Sequence, residues 1–405
     1  MKKECLNTFL TIFLLLSINI KIMVSDPHGG KLVNNVLSKN EIDEIISNLK
    51  EYKHLILDRD LIMDAEKIAI GAFSPIDGFL KQEDYLSILD NKRLKNGVVW
   101  TLPIILTLNK KDAENFNEKD DIILKDINNN PIALFKLEEK YNRNKDEEAK
   151  KIYGTNDKNH PGVLNVYNGG EIILGGQIFL IERPNSDFKE YELTPEQTRI
   201  IFKEKNWKTI VGFHTRNVPH RAHEYLQRTA LEHVDGLFIH PVIGKKKSGD
   251  FTAEAIIKTY KKLINDFYPK EKVLLATLST YSRYAGPREA VFTALVRKNY
   301  GCTHFIVGGD HTGVGNYYGM YDSHKIFDEF SENEIGIKIL KFRRPSYCKI
   351  CQNITTDKTC LHKDENKIEV SGTELRKMIS DGILPPEEFI RPEIARLLDK
   401  NDFVE

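Results

Sequence analysis

The feature that most constrains this chain is a strand–helix alternation that begins at Thr194-Pro195-Glu196 and runs to about residue 340. Apolar runs at 209–213, 236–239, 273–278 and 304–307 alternate with helix-length segments at about 221–234, 252–265, 286–299 and 323–331. Strands separated by helices predict a parallel sheet with helices on its faces, because each strand must cross over to lie beside the last. Thr194 is a good helix N-cap, and Pro195 suits the first helical position, so a helix is expected to open the segment. Ligands of such sheets gather outside the carboxyl ends of the strands. The chemical motifs of this segment should therefore fall at those ends.

The rest of the chain reads differently. From about 27 to 190, short apolar runs are broken by Gly, Pro and Asn, as in Val98-Val99-Trp100-Thr101-Leu102-Pro103-Ile104-Ile105-Leu106 and Ile172-Ile173-Leu174-Gly175-Gly176-Gln177-Ile178-Phe179-Leu180. These runs predict strands, with helices at about 39–50 and 82–90, in a β-rich α+β domain. The charged stretch from Lys136 to Lys151 reads as a solvated helix. The last segment, about 340–405, carries a cysteine cluster and two short helices on either side of Pro385-Pro386. With 405 residues, two or three domains are expected. The division is an N-terminal extension (1–26), a β-rich domain (27–193), a catalytic domain (194–340) and a C-terminal subdomain (341–405). Residues 2–20 resemble a signal peptide, with Lys2-Lys3 before an apolar run. No small-residue cleavage site follows, so Met23 is expected to be the true start, a real export signal being the alternative. The run is too short to predict a membrane span.

Lys plus Arg and Asp plus Glu each number 59, so the net charge is zero and no bulk attraction to nucleic acid is expected. Any anion site must be local. Of the five cysteines, Cys5 and Cys302 stand apart, and Cys348, Cys351 and Cys360 cluster. An odd count in a long chain points to a reducing compartment, here the cytoplasm, rather than to a disulfide framework.

Four strings carry chemistry. In Phe213-His214-Thr215-Arg216-Asn217-Val218-Pro219-His220-Arg221-Ala222-His223-Glu224, a strand passes into a helix. A helix N-terminus with free N–H groups suits phosphates, and His220 and His223, three apart, share one face of its first turn. Arg216 offers a planar fork to a tetrahedral oxyanion. An H-x-x-H pair alone also fits structural or metal-binding histidines. The H-E-x-x-H protease reading fails, since Glu224 follows the second histidine. Val307-Gly308-Gly309-Asp310-His311-Thr312-Gly313 is a Gly-rich turn after a strand, which lets backbone N–H groups approach a phosphate. Cys348-Lys349-Ile350-Cys351 with Cys360-Leu361-His362 offers four zinc ligands, Cys348, Cys351, Cys360 and His362. A redox C-x-x-C would need a βα context that is missing. Gly244-Lys245-Lys246-Lys247-Ser248-Gly249-Asp250 reads as a solvated loop or as a diphosphate contact. No G-x-x-x-x-G-K-[ST] phosphate loop occurs in the sequence, which argues against a fused phosphate-loop kinase.

Taken whole, the string from His214 to His223 resembles the Q-T-R-N-x-x-H-x-x-H pattern of the ATP sulfurylase family. Supporting similarities run in order along the chain: Pro27-His28-Gly29-Gly30-Lys31-Leu32-Val33, Ile70-Gly71-Ala72-Phe73-Ser74-Pro75-Ile76-Asp77-Gly78-Phe79, Tyr153-Gly154-Thr155 with His160-Pro161-Gly162-Val163, His240-Pro241-Val242-Ile243-Gly244, Arg283-Tyr284-Ala285-Gly286-Pro287-Arg288-Glu289-Ala290 and Val370-Ser371-Gly372-Thr373-Glu374-Leu375-Arg376. The resemblance implies a PUA-like N-terminal domain, a Rossmann-like nucleotidyltransferase domain and a C-terminal subdomain with structural zinc. It implies conversion of MgATP and sulfate to adenylyl sulfate and diphosphate, by a homo-oligomer. Thr215, Arg216, Asn217, His220 and His223 would act on the reacting groups. His214, Gly308, Gly309, Asp310, His311, Thr312 and Gly313 would help bind sulfate and ATP. Three positions depart from the family pattern: His214 replaces Gln, Gly309 replaces Arg, and Thr312 replaces Ala. A charged His214 making up for the cation missing at 309 is one expectation; a different oxyanion, or a binding protein without catalysis, are the others.

Overall fold

The structure, a computed structural model, describes residues 24–309, 311 and 313–404. The N-terminal extension with Cys5, and the site candidates Asp310 and Thr312, lie outside the described residues.

The first half is built on a six-stranded mixed sheet. Its strands are β1 (Lys53–Ile56), β2 (Gly78–Phe79), β3 (Leu106–Leu108), β4 (Asp121–Lys125), β5 (Pro131–Asn142) and β6 (Ile172–Leu180). Their order is β1-β4-β5-β6-β2, with β3 also on β6. Only β1 and β4 run parallel. Numbering only the longer helices, α1 (Lys39–Ser47), α2 (Arg59–Ala69), α3 (Gln82–Asn91), α4 (Lys145–Tyr153) and α5 (Pro161–Asn168) accompany this sheet. Ser38 and Glu41 cap α1 reciprocally, which fixes its start.

Two readings of this half are corrected. Residues 98–106 form a strand only at the end, from Leu106; before that, Val99 makes one isolated bridge to Arg93. Pro103 has no N–H to offer a ladder, and the hydroxyl of Thr101 instead donates to the carbonyl of Arg288 at 2.6 Å. The charged stretch 136–151 is not one helix. Its first half is the end of β5, where Leu137 and Tyr141 are buried while Lys136 and Glu138 face solvent. Helix α4 starts only at Lys145, capped by Asn144.

The second half carries the expected parallel sheet. Helix α6 (Pro195–Glu204) opens it with Thr194 and Gln197 in a capping box. The strands are β7 (Ile210–Thr215), β8 (Gly236–Pro241), β9 (Val273–Leu275), β10 (His304–Val307) and β11 (Lys338–Lys341), in the order β11-β10-β7-β8-β9. All four pairings are parallel. Central strands covered on both faces must be apolar throughout, and β8 is buried at every position. The crossovers are α7 (Arg221–Leu231), α8 (Ala253–Phe267) and α9 (Pro287–Asn299). The helix expected at 323–331 is a single α-turn, Asp322–Lys325, continued as a 3-10 turn to Glu329.

Helix α9 ties the halves together. Every residue from Arg288 to Asn299 is buried. The Arg288 guanidinium donates to the carbonyls of Ile88 and Leu89, in the last turn of α3, at 2.9 and 3.0 Å. The Asn299 amide donates to the carbonyls of Ala72 and Ser74 at 3.1 and 2.8 Å, and its oxygen accepts from the His28 N–H at 2.8 Å.

The C-terminal part has a three-stranded antiparallel sheet of β12 (Ser346–Cys348), β13 (Asn353–Thr355) and β14 (Lys367–Glu369), then α10 (Gly372–Ser380). The chain returns to brace α7: the carbonyl of Phe389 accepts from the Arg221 N–H at 2.8 Å, and Arg391 pairs with buried Glu224 at 2.8 Å. Among the described residues, no helix is long and apolar enough to cross a membrane.

Candidate active site

The chain proceeds from β7 to β8 and β9 on one side, then returns to place β10 on the other side of β7. The crevice between the ends of β7 and β10 is thus the topological switch point, where open α/β sheets bind ligands. A cavity of about 350 Å³ opens there. Its lining includes His214, Thr215, Arg216, Asn217, His220 and His223 from the end of β7, and His311 and Gly313 from the loop after β10. These residues, far apart in the sequence, are brought together. Gly308 and Gly309 are not in the lining. Their carbonyls accept from the His324 imidazole (3.1 Å) and from the Tyr321 N–H (3.0 Å).

The loop after β7 is held by its own atoms. The Thr215 hydroxyl accepts from the Asn217 N–H at 3.1 Å, and the Thr215 carbonyl accepts from the Val242 N–H at 2.8 Å. The Arg216 guanidinium lies 5.7 Å from the centre of the Tyr284 ring. Tyr284 itself has φ +58, a costly conformation for a residue with a side chain. Among the described residues, no carboxylate forms an ion pair with Arg216.

His220 is the N-cap of α7, with Nδ1 accepting from the His223 N–H at 3.4 Å. In the neutral ring, Nε2 therefore carries the hydrogen. The two rings stack with centroids 3.7 Å apart. Burial lowers His220 to about 3, and burial and then its neighbour push His223 well below the usual imidazole range. Both are neutral donors at pH 7 rather than cations.

His214 corrects one expectation. Burial, followed by the nearby charge of Arg297, holds it far below the usual range, so it does not supply the cation missing at Gly309. Its ring lies 5.2 Å from that of His311, which burial lowers to about 3 and whose Nε2 is 2.9 Å from the Thr293 hydroxyl. The positive charge comes from elsewhere. Arg297, Lys246 and Arg376 all line the cavity, and sequence reasoning selected none of them as a site residue. Gly309 has a packing reason: a Cβ there would lie 2.7 Å from the Tyr321 ring. Gly309→Arg is therefore expected to destabilise the protein by about 1–3 kcal/mol through overpacking. Thermal melting checks this, and an unchanged Tm would contradict it.

Beyond the cavity, Cys348, Cys351, Cys360 and His362 present donor atoms that all lie within 4.8 Å of one another. Nδ1 of His362 is 3.4, 3.3 and 3.4 Å from the three sulfurs in turn, and Cys351 and Cys360 sulfurs are 3.7 Å apart. The edge of a tetrahedron around a metal with bonds of ~2.3 Å is ~3.8 Å, so the set fits a four-coordinate metal.

A cationic cavity at the switch point of a parallel sheet, with a helix N-terminus opening into it, defines an α/β protein that binds phosphate-bearing ligands. The sequence matches the ATP-sulfurylase family model over residues 189–401 and the PUA-like domain model over residues 25–183. The sulfate adenylyltransferase of Halothermothrix orenii is 48% identical over 374 residues, covering 92% of this chain and 98% of that protein. Those of Synechococcus sp. and Pyrococcus abyssi are 48% and 46% identical, covering 92% and 95% of this chain and 95% and 100% of theirs. The solved structure of a hexameric APS kinase from Thiobacillus denitrificans superposes with a TM-score of 0.71 at 21% identity, covering 92% of this chain and 67% of that one. That likeness is one of fold. The chain belongs to the ATP-sulfurylase family.

Proposed function

We propose that this chain is a sulfate adenylyltransferase, converting MgATP and sulfate to adenylyl sulfate and diphosphate. The observation that carries the reading is the convergence of Arg216, Asn217, His220 and His223 at one cavity, with no described carboxylate paired to the guanidinium and both imidazoles neutral. A sulfate oxygen attacks the α-phosphorus while the bond to diphosphate breaks. No side-chain nucleophile is needed, so the residues act by positioning and by stabilising charge. Arg216 grips sulfate, Thr215 and Asn217 hold the reacting phosphate, and the imidazole N–H groups donate to the leaving phosphates. His214, His311 and Gly313, with Asp310 and Thr312 of the loop after β10, belong to the sulfate and ATP sites, while Gly308 and Gly309 lie outside the lining and shape that loop. Mg²⁺ arrives with ATP. Diphosphate release from MgATP should depend on sulfate, and sulfate should outcompete other tetrahedral oxyanions; release without sulfate would count against this reading.

The chain divides under this reading into the domains 27–193, 194–340 and 341–405, and works as a homo-oligomer. A buried, unpaired Cys302 suits a reducing compartment, the cytoplasm. The Cys₃His set is a structural zinc site. Metal analysis should find one zinc per chain, and its removal should lower the Tm while leaving the parallel sheet folded. A stable protein without metal would overturn the assignment.

A further inference from the structure

We infer that Lys246 and Arg376 are ligands of the diphosphate leaving group, completing with Arg216 a cationic wall of the cavity. This inference rests on the proposed adenylyl transfer. Diphosphate is a multiply charged anion, and the two histidines at the α7 N-terminus are neutral. They can donate hydrogen bonds but supply no full positive charge.

Lys246 sits in a run that reads as a solvated loop or as a diphosphate contact, and its neighbours Lys245 and Lys247 are exposed. Lys246 instead turns inward. Its ammonium donates to the carbonyls of Val242 at 3.1 Å and Arg216 at 3.3 Å. An ammonium has three donors, so one remains for the cavity. Arg376 reaches the same place from α10. It donates to the Asn217 amide oxygen at 2.7 Å and to the Thr373 hydroxyl at 3.1 Å. Gly372 makes this approach possible: a Cβ there would stand 2.9 Å from the Asn217 amide. Two described carboxylates line the cavity: Asp250, 4.0 Å from Arg376, and Glu289, whose oxygens accept from the N–H groups of Arg283 and Ala285 at 2.9 and 3.0 Å. Burial first, and then the charges of Arg216 and Arg376 against the pull of Asp250, lower Lys246 to about 8. Such a group of cations is unfavourable until an anion enters.

The test is steady-state kinetics in the ATP-forming direction, varying diphosphate and adenylyl sulfate separately. Lys246→Met and Arg376→Gln should each raise the KM for diphosphate by about 10- to 100-fold, as expected for a lost charged hydrogen bond, with little change in the KM for adenylyl sulfate. Diphosphate affinity of the wild type should weaken above pH 8, and Lys246→Arg should move that limb to higher pH. An unchanged diphosphate KM in variants of normal Tm, or a rise in the KM for adenylyl sulfate instead, would overturn the inference. Calorimetric titration of diphosphate into the wild type and Arg376→Gln keeps the two readings apart. If the wild type made no ATP, the functional reading would fall, while tight binding lost in the variant would still support the diphosphate site. Equal binding by both proteins would overturn it.

Discussion

Arg216→Ala should lower kcat/KM by about 10²–10³-fold, the loss typical of one preorganised donor at a site of developing charge. Its melting temperature should stay near that of the wild type. The guanidinium has no described carboxylate partner to strand, and it lies over the Tyr284 ring. Arg216→Lys should recover only part of the loss, because an ammonium keeps the charge but not the planar fork that matches two oxygens of a tetrahedral anion. Kinetics with sulfate varied, paired with a thermal melt, check both statements. Near-normal activity in Arg216→Ala would remove this residue from the reaction, and a large fall in Tm would make its role structural.

The second large effect is on stability in mild acid. His28, His214, His220, His223, His240 and His311 are all held below 6.5, the value expected in the unfolded chain, with burial as the main cause in each. His28 falls to about 4 despite its hydrogen bond to the Val99 carbonyl. The sign follows from proton binding. Below pH 6.5 the unfolded chain takes up protons at these sites while the folded chain does not. Their contribution is therefore intact above pH 6.5 and is lost as the pH falls toward the folded values. Each buried histidine adds a slope of about 1.4 kcal/mol per pH unit in that window. Several together make the loss of stability with acid steep. Urea midpoints measured from pH 7.5 to 5 should fall steeply below about 6.5. A flat profile would mean that these rings are protonated in the native protein. The same neutrality predicts that the pH dependence of kcat/KM has no ionisation near 6.5 from His220 or His223.

How much of this was legible in the sequence depends on what each feature needs from distant parts of the chain. The parallel sheet was legible because its strands are apolar throughout and its helices carry local signals, such as the Thr194-Gln197 capping box. The end of β5 was not, because an antiparallel strand with one wet face can place Lys136, Glu138 and Lys140 in a row that looks like a charged helix. The Cys348–His362 donor set was legible, since metal ligands must come from a few residue types at close spacing. Lys246 was legible only as one of a run that could contact diphosphate, and Arg297 and Arg376 were not selected as site residues. A charge turned into a cavity is set by tertiary packing, and nothing in Gly244–Asp250 distinguishes the inward lysine from its two exposed neighbours. The reverse error occurred at His214, where a histidine taken as a possible cation is made neutral by burial beside Arg297.

The central claim, adenylyl transfer between diphosphate and sulfate at the cavity after β7, is tested most directly in reverse. Purified protein given adenylyl sulfate, diphosphate and Mg²⁺ should produce ATP, with the signal lost when either substrate is omitted and reduced about 10²–10³-fold in Arg216→Ala. A folded wild-type protein that binds ATP yet forms none from adenylyl sulfate would contradict it.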